Sequence, residues 1–584
     1  MKLPNIWGPG NLFAYSGLDG ICTYSDSLVG TLCGDRIGVI FYTTIKSQLS
    51  LVLKDIKDID YTVVSSDIIQ AHFTGGGGEN HPFTMLFYAQ DTVIGQTTEA
   101  ALPVVFFEAA VDAVPETVGN VRVYTFGDEY FALAVNRGEP LVSFAYAVSR
   151  ISKQDAADKA ALAVKANIQV ESAKKLDFFA RLPEAKTGNE DTEKLYYKCF
   201  STMKSQVYTP EGQFRARWTT PDRLPHKRLW LWDSVFHSLG NKHISTELAY
   251  DSIKAVFDTQ QEDGFIPHMS SPFESSEVTQ PPVIAWGLYE LYQHSGNPQI
   301  LEECYAGLQK YLMWNKQHRD RNDNWLFEWK VEEDNVHCRC DECGMDNSPR
   351  FDDVKEMDCI DFSCFMANEA RIMVKIAAIL ERNEDVKFWQ ECFDKIKAAV
   401  NGYLWDDQDQ FYYDRLLQGG EWKKVKAVSS FLPLFAGICE PDQAEALVRH
   451  LEDPASFGTE LPIPSISLDD PTFGTDMWRG PVWINYNYMI CRGLKEYGYH
   501  ELAQSIIQKT INTLTFWYAH DGAVYEFYDS TDIVSPSHLN RKSKSLKPYQ
   551  FQVRMQSIRD YGWSCTLLPA MILEGEAGNG TGTL

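Results

Sequence analysis

Hydrophobic positions change period once along the chain, and that change divides it. From about residue 10 to 150, short apolar runs alternate with Gly, Asp and Asn: Ile37 to Ile45, Gln48 to Leu53, Leu102 to Glu108, Val121 to Phe126 and Glu129 to Val135. Their length and close spacing predict strands of an antiparallel β-sandwich rather than β-α-β units. Gly75 to Gly78 lacks the Lys-Ser/Thr of a phosphate-binding loop and leads into no helical pattern, so it is expected to be a plain loop. Residues 153 to 180 carry an alanine series, Ala156, Ala157, Ala160, Ala161, Ala163 and Ala166, with high helix propensity. Beyond it the period becomes helical. Phe362, Phe365, Met366, Met373, Ile376, Ala377 and Leu380 share one face behind Asp361 as an expected N-cap, and Leu502, Ile506, Ile507, Ile511 and Leu514 repeat the pattern. About a dozen such segments between 190 and 575 occur in pairs without a fixed repeat length, which favours a closed toroid of α-hairpins over a solenoid. The expected division is a β-sandwich over 1–150, a helical linker over 151–189 and a helical barrel over 190–584.

Composition narrows the partners. With 44% hydrophobic and 23% charged residues in 584, the chain has ample material for packed cores. Eighty acidic against 54 basic residues give a net charge of −26, which would repel nucleic acid and anionic membrane surfaces. The stretch Met1 to Trp7 has no apolar signal-like core, and no uncharged run approaches the ~20 residues that span a bilayer. Thirteen cysteines without a framework suit free thiols in a reducing compartment, so a cytoplasmic location is expected.

The informative residues lie in the loops between helical segments: RLWLWDSVFH at 228–237, DGFIPHM at 263–269, QPP at 280–282, GMDNSPRFD at 344–352, WRGPVWIN at 478–485 and YEFYD at 525–529. Trp230, Trp232, Trp286, Trp478, Trp483 and Trp563 supply flat apolar faces beside Asp, Arg and Asn, as sugar binding requires. Inverting glycoside hydrolysis needs one carboxylic acid at the leaving oxygen and one carboxylate that activates water, about 6.5 to 9.5 Å apart. Asp346 fits the acid, in a turn stiffened by Pro349 where apolar neighbours would favour its protonated form. Glu526, among Tyr525, Phe527 and Tyr528, fits the base.

Taken in order over roughly 190 to 575, and with YGWS at 561–564, these motifs resemble glycoside hydrolase family 63, kin to the trehalases of family 37. The resemblance implies an (α/α)6 barrel and an inverting mechanism, with Asp346 as general acid and Glu526 as general base. It also implies a sugar subsite lined by Trp232, Asp233, His268, Gln280, Arg479 and Trp483, to which Trp563 is added. Tryptophans would stack on the sugar, Asp233, His268 and Gln280 would bind hydroxyls, and Arg479 would act as a charged clamp. The substrate implied is an oligosaccharide or small glycoside from which a terminal sugar, glucose foremost, is released, without a cofactor. A mannosidase, trehalase or rhamnosidase specificity, a phosphorylase and a non-catalytic sugar-binding protein are the alternatives. One departure from the family pattern precedes the acid: His337, Cys338, Cys340 and Cys343 could in composition hold zinc, but they are read as incidental loop residues.

Overall fold

A computed structural model describes residues 1–53, 55–108, 114–332, 335, 337–542 and 556–579. Two compact units emerge. One comprises Met1–Glu211, Asp222–Lys227 and Thr515–Val524; the other comprises Gly212–Pro221, Arg228–Leu514 and Tyr525–Leu584.

The first unit is a β-sandwich of two antiparallel sheets. Five strands, Leu12–Ala14, Val29–Leu32, Gly38–Phe41, Ser47–Leu51 and Pro103–Phe107, pair in that order. The eight-stranded sheet runs from Glu116–Val118 through Val121–Phe126, Glu129–Arg137, Val142–Ser149, Thr92–Thr97, Asn80–Ala89 and Ile68–Gly75 to Ile56–Val64. The sheets meet through aromatic rings: Phe41 stacks on Tyr146 at 5.3 Å, and Phe107 meets Phe131 edge-on at 5.4 Å. The four glycines at 75–78 lie at the turn of the hairpin joining Ile68–Gly75 to Asn80–Ala89.

The stretch expected to link two domains belongs to this unit. It forms α1 (Lys153–Ala163) and α2 (Ile168–Ala180), capped by Ser152 and Asn167. Ala156, Ala157 and Ala160 bury against Val121, Val123, Ala132, Ala134 and Ala147, so the alanines serve close packing of a helix on a sheet rather than a free connector. α3 (Glu190–Ser205), expected to open the barrel, also stays here: Ser201 Oγ accepts from Ser66 N at 2.7 Å, and Lys204 Nζ pairs with Asp67 at 2.7 Å.

That pair is part of a buried cluster in which Lys175 and Lys204 face Asp19 and Asp67. Burial pushes the Asp67 carboxyl up, but Lys204 and Lys175 outweigh it and hold it below the usual carboxylate range. A carboxyl depressed on folding contributes stability above its unfolded value of about 3.9, and loses it as the pH falls further. We therefore expect Asp67→Asn to destabilise the protein at pH 7, with the gap from wild type closing below about pH 4. Urea midpoints measured across that range check this, and a gap that stayed constant would contradict it.

The second unit is helical. Its helices are α4 (Leu231–Asn241), α5 (Thr246–Phe257), α6 (Ile284–Ser295), α7 (Gln299–Arg319), α8 (Ile360–Ile379), α9 (Asn383–Ala399), α10 (Leu432–Ala436), α11 (Pro441–Glu452), α12 (Ile484–Glu496), most of α13 (His500–Asp521) and α14 (Gly562–Asn579). Alternate members touch in cyclic order: α4 on α6, α6 on α8, α8 on α10, α10 on α12, α12 on α14, and α14 back on α4. Six inner helices thus close a ring, which is the (α/α)6 barrel and excludes an open solenoid. Among the described residues no helix is long and apolar enough to cross a membrane.

Candidate functional site

Several of the sequence motifs sit where inner helices begin, and those of Asp346 and Glu526 lie in the loops between helices. Trp232 and Asp233 are in the first turn of α4, Val283 and Trp483 immediately precede α6 and α12, and Trp563 is in the first turn of α14. These loops touch one another. The rings of Trp232 and Trp483 each meet Trp563, at 5.6 and 5.5 Å, and Gln280 Oε1 accepts from Trp232 N at 3.1 Å.

The acid loop is fastened on several sides. Asp346 O accepts from Arg339 N at 2.8 Å, and Asn347 Oδ1 accepts from Trp478 N at 3.0 Å. Arg350, fully buried, forks between Asp361 (2.6 and 3.0 Å) and Asp414 (2.7 and 2.8 Å). Asp361 is therefore not the expected N-cap of α8: Cys359 holds that position, and Asp361 serves Arg350 and the indole N–H of Trp329. Gly344 has φ +71°, and a Cβ there would lie 2.4 Å from Cζ2 of Trp232. Only glycine satisfies both the left-handed backbone and the indole's approach. Gly344→Ala should shift the Asp346 turn, and a misplacement of about 1 Å at a reacting group costs on the order of 10²-fold in rate. Steady-state kinetics against wild type test this; an unaltered kcat would show that the turn tolerates the shift.

Glu526 is held as firmly. Its N–H donates to Ile558 O at 2.9 Å, its carbonyl accepts from Trp563 Nε1 at 3.3 Å, and the next residue, Phe527, donates to Ser557 Oγ at 3.1 Å.

Two neighbouring residues tie the carboxylates into one site. Arg541 Nε donates to Glu526 Oε2 at 2.9 Å, and Lys542 Nζ lies 2.5 Å from Asp346 Oδ2. Arg541 also senses Asp346, and its guanidinium is held charged chiefly by Glu526 against the cost of burial. Because consecutive Cα atoms are only ~3.8 Å apart, Asp346 and Glu526 converge on one short stretch of chain. Among the described residues Asp346 is paired with an ammonium, and its side chain is 15% exposed. Neither Arg541 nor Lys542 entered the sequence reading. Their only signal is a basic pair in a strongly acidic chain, following no motif.

The other expected residues divide. Asp233 faces Tyr561, whose hydroxyl lies 3.5 Å from Oδ1. His268 is buried, its Nδ1 on Ser276 Oγ at 2.6 Å, and burial lowers its pKa against the pull of Asp341 and Asp346, so the ring is neutral. The Gln280 side-chain oxygen is occupied by Trp232 N. Arg479 is engaged by Asp352, one Nη reaching both carboxylate oxygens at 2.7 Å, so its clamp closes on protein. The tryptophans lie against one another. Trp232 and Trp483 are each 1% exposed and Trp563 is 3% exposed. Trp483 lies flat on Trp478 at 3.7 Å, with 2° between planes, and meets Phe527 and Trp563 elsewhere. They form a packed aromatic layer that supports the carboxylate loops. The four metal candidates also separate. Cys340 and Cys343 are sealed in the loop, the latter's Sγ accepting from Met345 N at 3.1 Å, and His337 joins no donor group among the described residues.

An (α/α)6 ring whose loops bring Asp346 and Glu526 onto the neighbouring residues Arg541 and Lys542 is an arrangement that can serve glycoside hydrolysis. Comparison with known proteins agrees. A mannosylglycerate hydrolase MGH1-like glycoside hydrolase domain matches residues 225–532, more than half of the chain, and the chain belongs to that family, within glycoside hydrolase family 63. It is 24% identical over 420 residues to mannosylglycerate hydrolase MGH2 of Selaginella moellendorffii, covering 56% of this chain and 82% of the relative. It is 26% identical over 371 residues to a mannosylglycerate hydrolase of Thermus thermophilus, covering 50% and 86%. The crystal structure of the family 63 mannosylglycerate hydrolase from Thermus thermophilus in complex with glucose superposes with a TM-score of 0.53 at 23% identity, over 65% of this chain and all of that one. The protein is a glycoside hydrolase.

Proposed function

We propose that the enzyme is an exo-acting, inverting α-glycosidase in which Asp346 protonates the leaving oxygen and Glu526 activates water. The observation that carries this reading is the anchoring of both carboxylates by Arg541 and Lys542. Arg541 donates to the Glu526 carboxylate and fixes its orientation, as a positioned base requires. Lys542 pairs with the Asp346 side chain, so proton donation needs that ion pair to open and a proton to take the cation's place. A sugar entering between the carboxylates and excluding water would favour the exchange. Asp233, His268 and Gln280 orient hydroxyls, and the tryptophan layer holds the loops at their spacing. Glucose is the sugar proposed for the cleaved subsite, with mannose next, since the relatives' names include mannosylglycerate hydrolase and the Thermus structure holds glucose. Incubation with a panel of α-glucosides and α-mannosides, mannosylglycerate included, with and without phosphate, tests the reading. Free sugar formed at equal rates in both buffers is expected; release that required phosphate would establish a phosphorylase.

A further inference from the structure

Glu369 lies where the helical pattern of α8 calls for an apolar residue, three positions after Met366 and four before Met373 on the buried face. It is 0% exposed, and its carboxylate reaches the neighbouring inner helix: Oε2 accepts from Ala285 N at 2.7 Å and Oε1 from Trp286 N at 2.9 Å. α6 has no cap of its own, since Val283 stands at its N-cap and makes no side-chain bond there. First-turn N–H groups lack partners within a helix, and the positive end of the helix dipole lies with them, so both favour an anion. Glu369 supplies it from another helix.

The first turn of α6 follows the QPP motif, and that motif reaches both carboxylate loops. Pro281 and Pro282 have ring-fixed φ, so the chain from Gln280 to Val283 is a stiff connection. Gln280 O accepts from Tyr311 Oη at 3.0 Å, and its side-chain oxygen accepts from Trp232 N at 3.1 Å. The Trp232 indole closes on Gly344 in the Asp346 loop and on Trp563, whose Nε1 donates to Glu526 O. Each link from Glu369 to the two loops is thus a hydrogen bond, a ring contact or a short stretch of stiff chain.

Burial pushes the Glu369 carboxyl up to about 7, against the N–H groups of Ala285, Trp286 and Ile284. Among the described residues no charged side chain of α4, α6, α7, α8 or α10 bears on it; from α7 it is felt by the Tyr311 hydroxyl, which burial holds neutral. A carboxyl raised on folding adds stability while protonated, in full below its unfolded value of about 4.3, and that contribution is lost as the pH rises through 7. The ionised cap is therefore kept at a loss of stability that an uncharged side chain packed in its place would not incur. On protonation one carboxyl oxygen carries hydrogen and becomes a poor acceptor, so one of the two first-turn bonds weakens.

We propose that Glu369 is a positioning residue of the hydrolytic site: by holding the first turn of α6, its carboxylate fixes Gln280 and Trp232, and through them the Asp346 and Glu526 loops. This rests on the assignment of those two residues as acid and base. Activity then depends on the charge of a group that touches no substrate.

The intact enzyme is labelled with 5-fluorotryptophan, and the Trp232 resonance, assigned by its loss in Trp232→Phe, is followed from about pH 5 to 9 alongside kcat and KM. In wild type the resonance and kcat should change together through neutrality, with kcat rising as the carboxyl ionises. Glu369→Gln, which keeps the shape and removes the charge, should lose on the order of 10²-fold in kcat at about pH 8, change KM far less, and show neither the shift nor the neutral limb. Glu369→Asp, which keeps the charge on a shorter arm, should retain both with a displaced midpoint. A cap that served stability alone would lower the melting temperature of Glu369→Gln and leave the pH profile of the folded enzyme as in wild type. A Trp232 resonance unmoved through neutrality in wild type, or a neutral limb kept in Glu369→Gln, would overturn the proposal. A resonance that follows Glu369 while kcat of Glu369→Gln stays within about threefold of wild type would keep the coupling and remove the Asp346 and Glu526 loops from the chemistry.

Discussion

Asp346→Asn is expected to lower kcat for a glycoside with an ordinary alcohol leaving group by about 10²- to 10⁴-fold, the range over which a positioned acid contributes. The effect should be selective. A glycosyl fluoride, whose leaving group needs no proton, should be cleaved much closer to the wild-type rate, because Glu526 and the water it activates are untouched. Glu526→Gln should be slow on both substrates. This split distinguishes the acid from the base more surely than either rate alone, since the asparagine keeps the loop's shape while removing the ion pair with Lys542. Equal loss on both substrates for Asp346→Asn would show that it acts in positioning rather than in proton transfer.

Arg350→Met should cost roughly 3–5 kcal/mol of stability, because it leaves Asp361 and Asp414 as buried charges with no counterion. Asp414 also accepts from Ile360 N at the start of α8, so the loss reaches the inner ring as well as the loop four residues beyond Asp346. Denaturant midpoints check the size. Adding Asp361→Asn and Asp414→Asn to Arg350→Met should recover part of it, since a buried charge costs more than a buried amide. A single variant within about 1 kcal/mol of wild type would mean that water reaches this cluster.

Patterns of local origin were legible in the sequence. The strand Val121–Phe126 lies where its alternation placed it, and the pairing of helical segments without a fixed repeat anticipated the ring. Several motifs led to the starts of inner helices, because helix entry needs turn-forming and polar residues, whereas those of Asp346 and Glu526 lie in longer loops. What escaped was decided by packing between distant segments. The alanines of α1 read equally well as a linker until a sheet is laid against them. Each tryptophan motif offered an indole beside polar neighbours, but whether a ring faces a ligand or another ring depends on partners outside the motif, as with Trp483 on Trp478 and Trp563. Arg541 and Lys542 were silent for the same reason: their meaning lies in contacts with Glu526 and Asp346, far away along the chain and unmarked by any spacing.

The most direct test of the paired-carboxylate mechanism is proton NMR of the first-formed sugar, recorded on an α-linked substrate before mutarotation mixes the anomers. Water delivered by Glu526 from the face opposite the bond protonated by Asp346 predicts the β-anomer at early times. Initial appearance of the α-anomer would contradict the account, because it would require a covalent intermediate and a different role for Glu526.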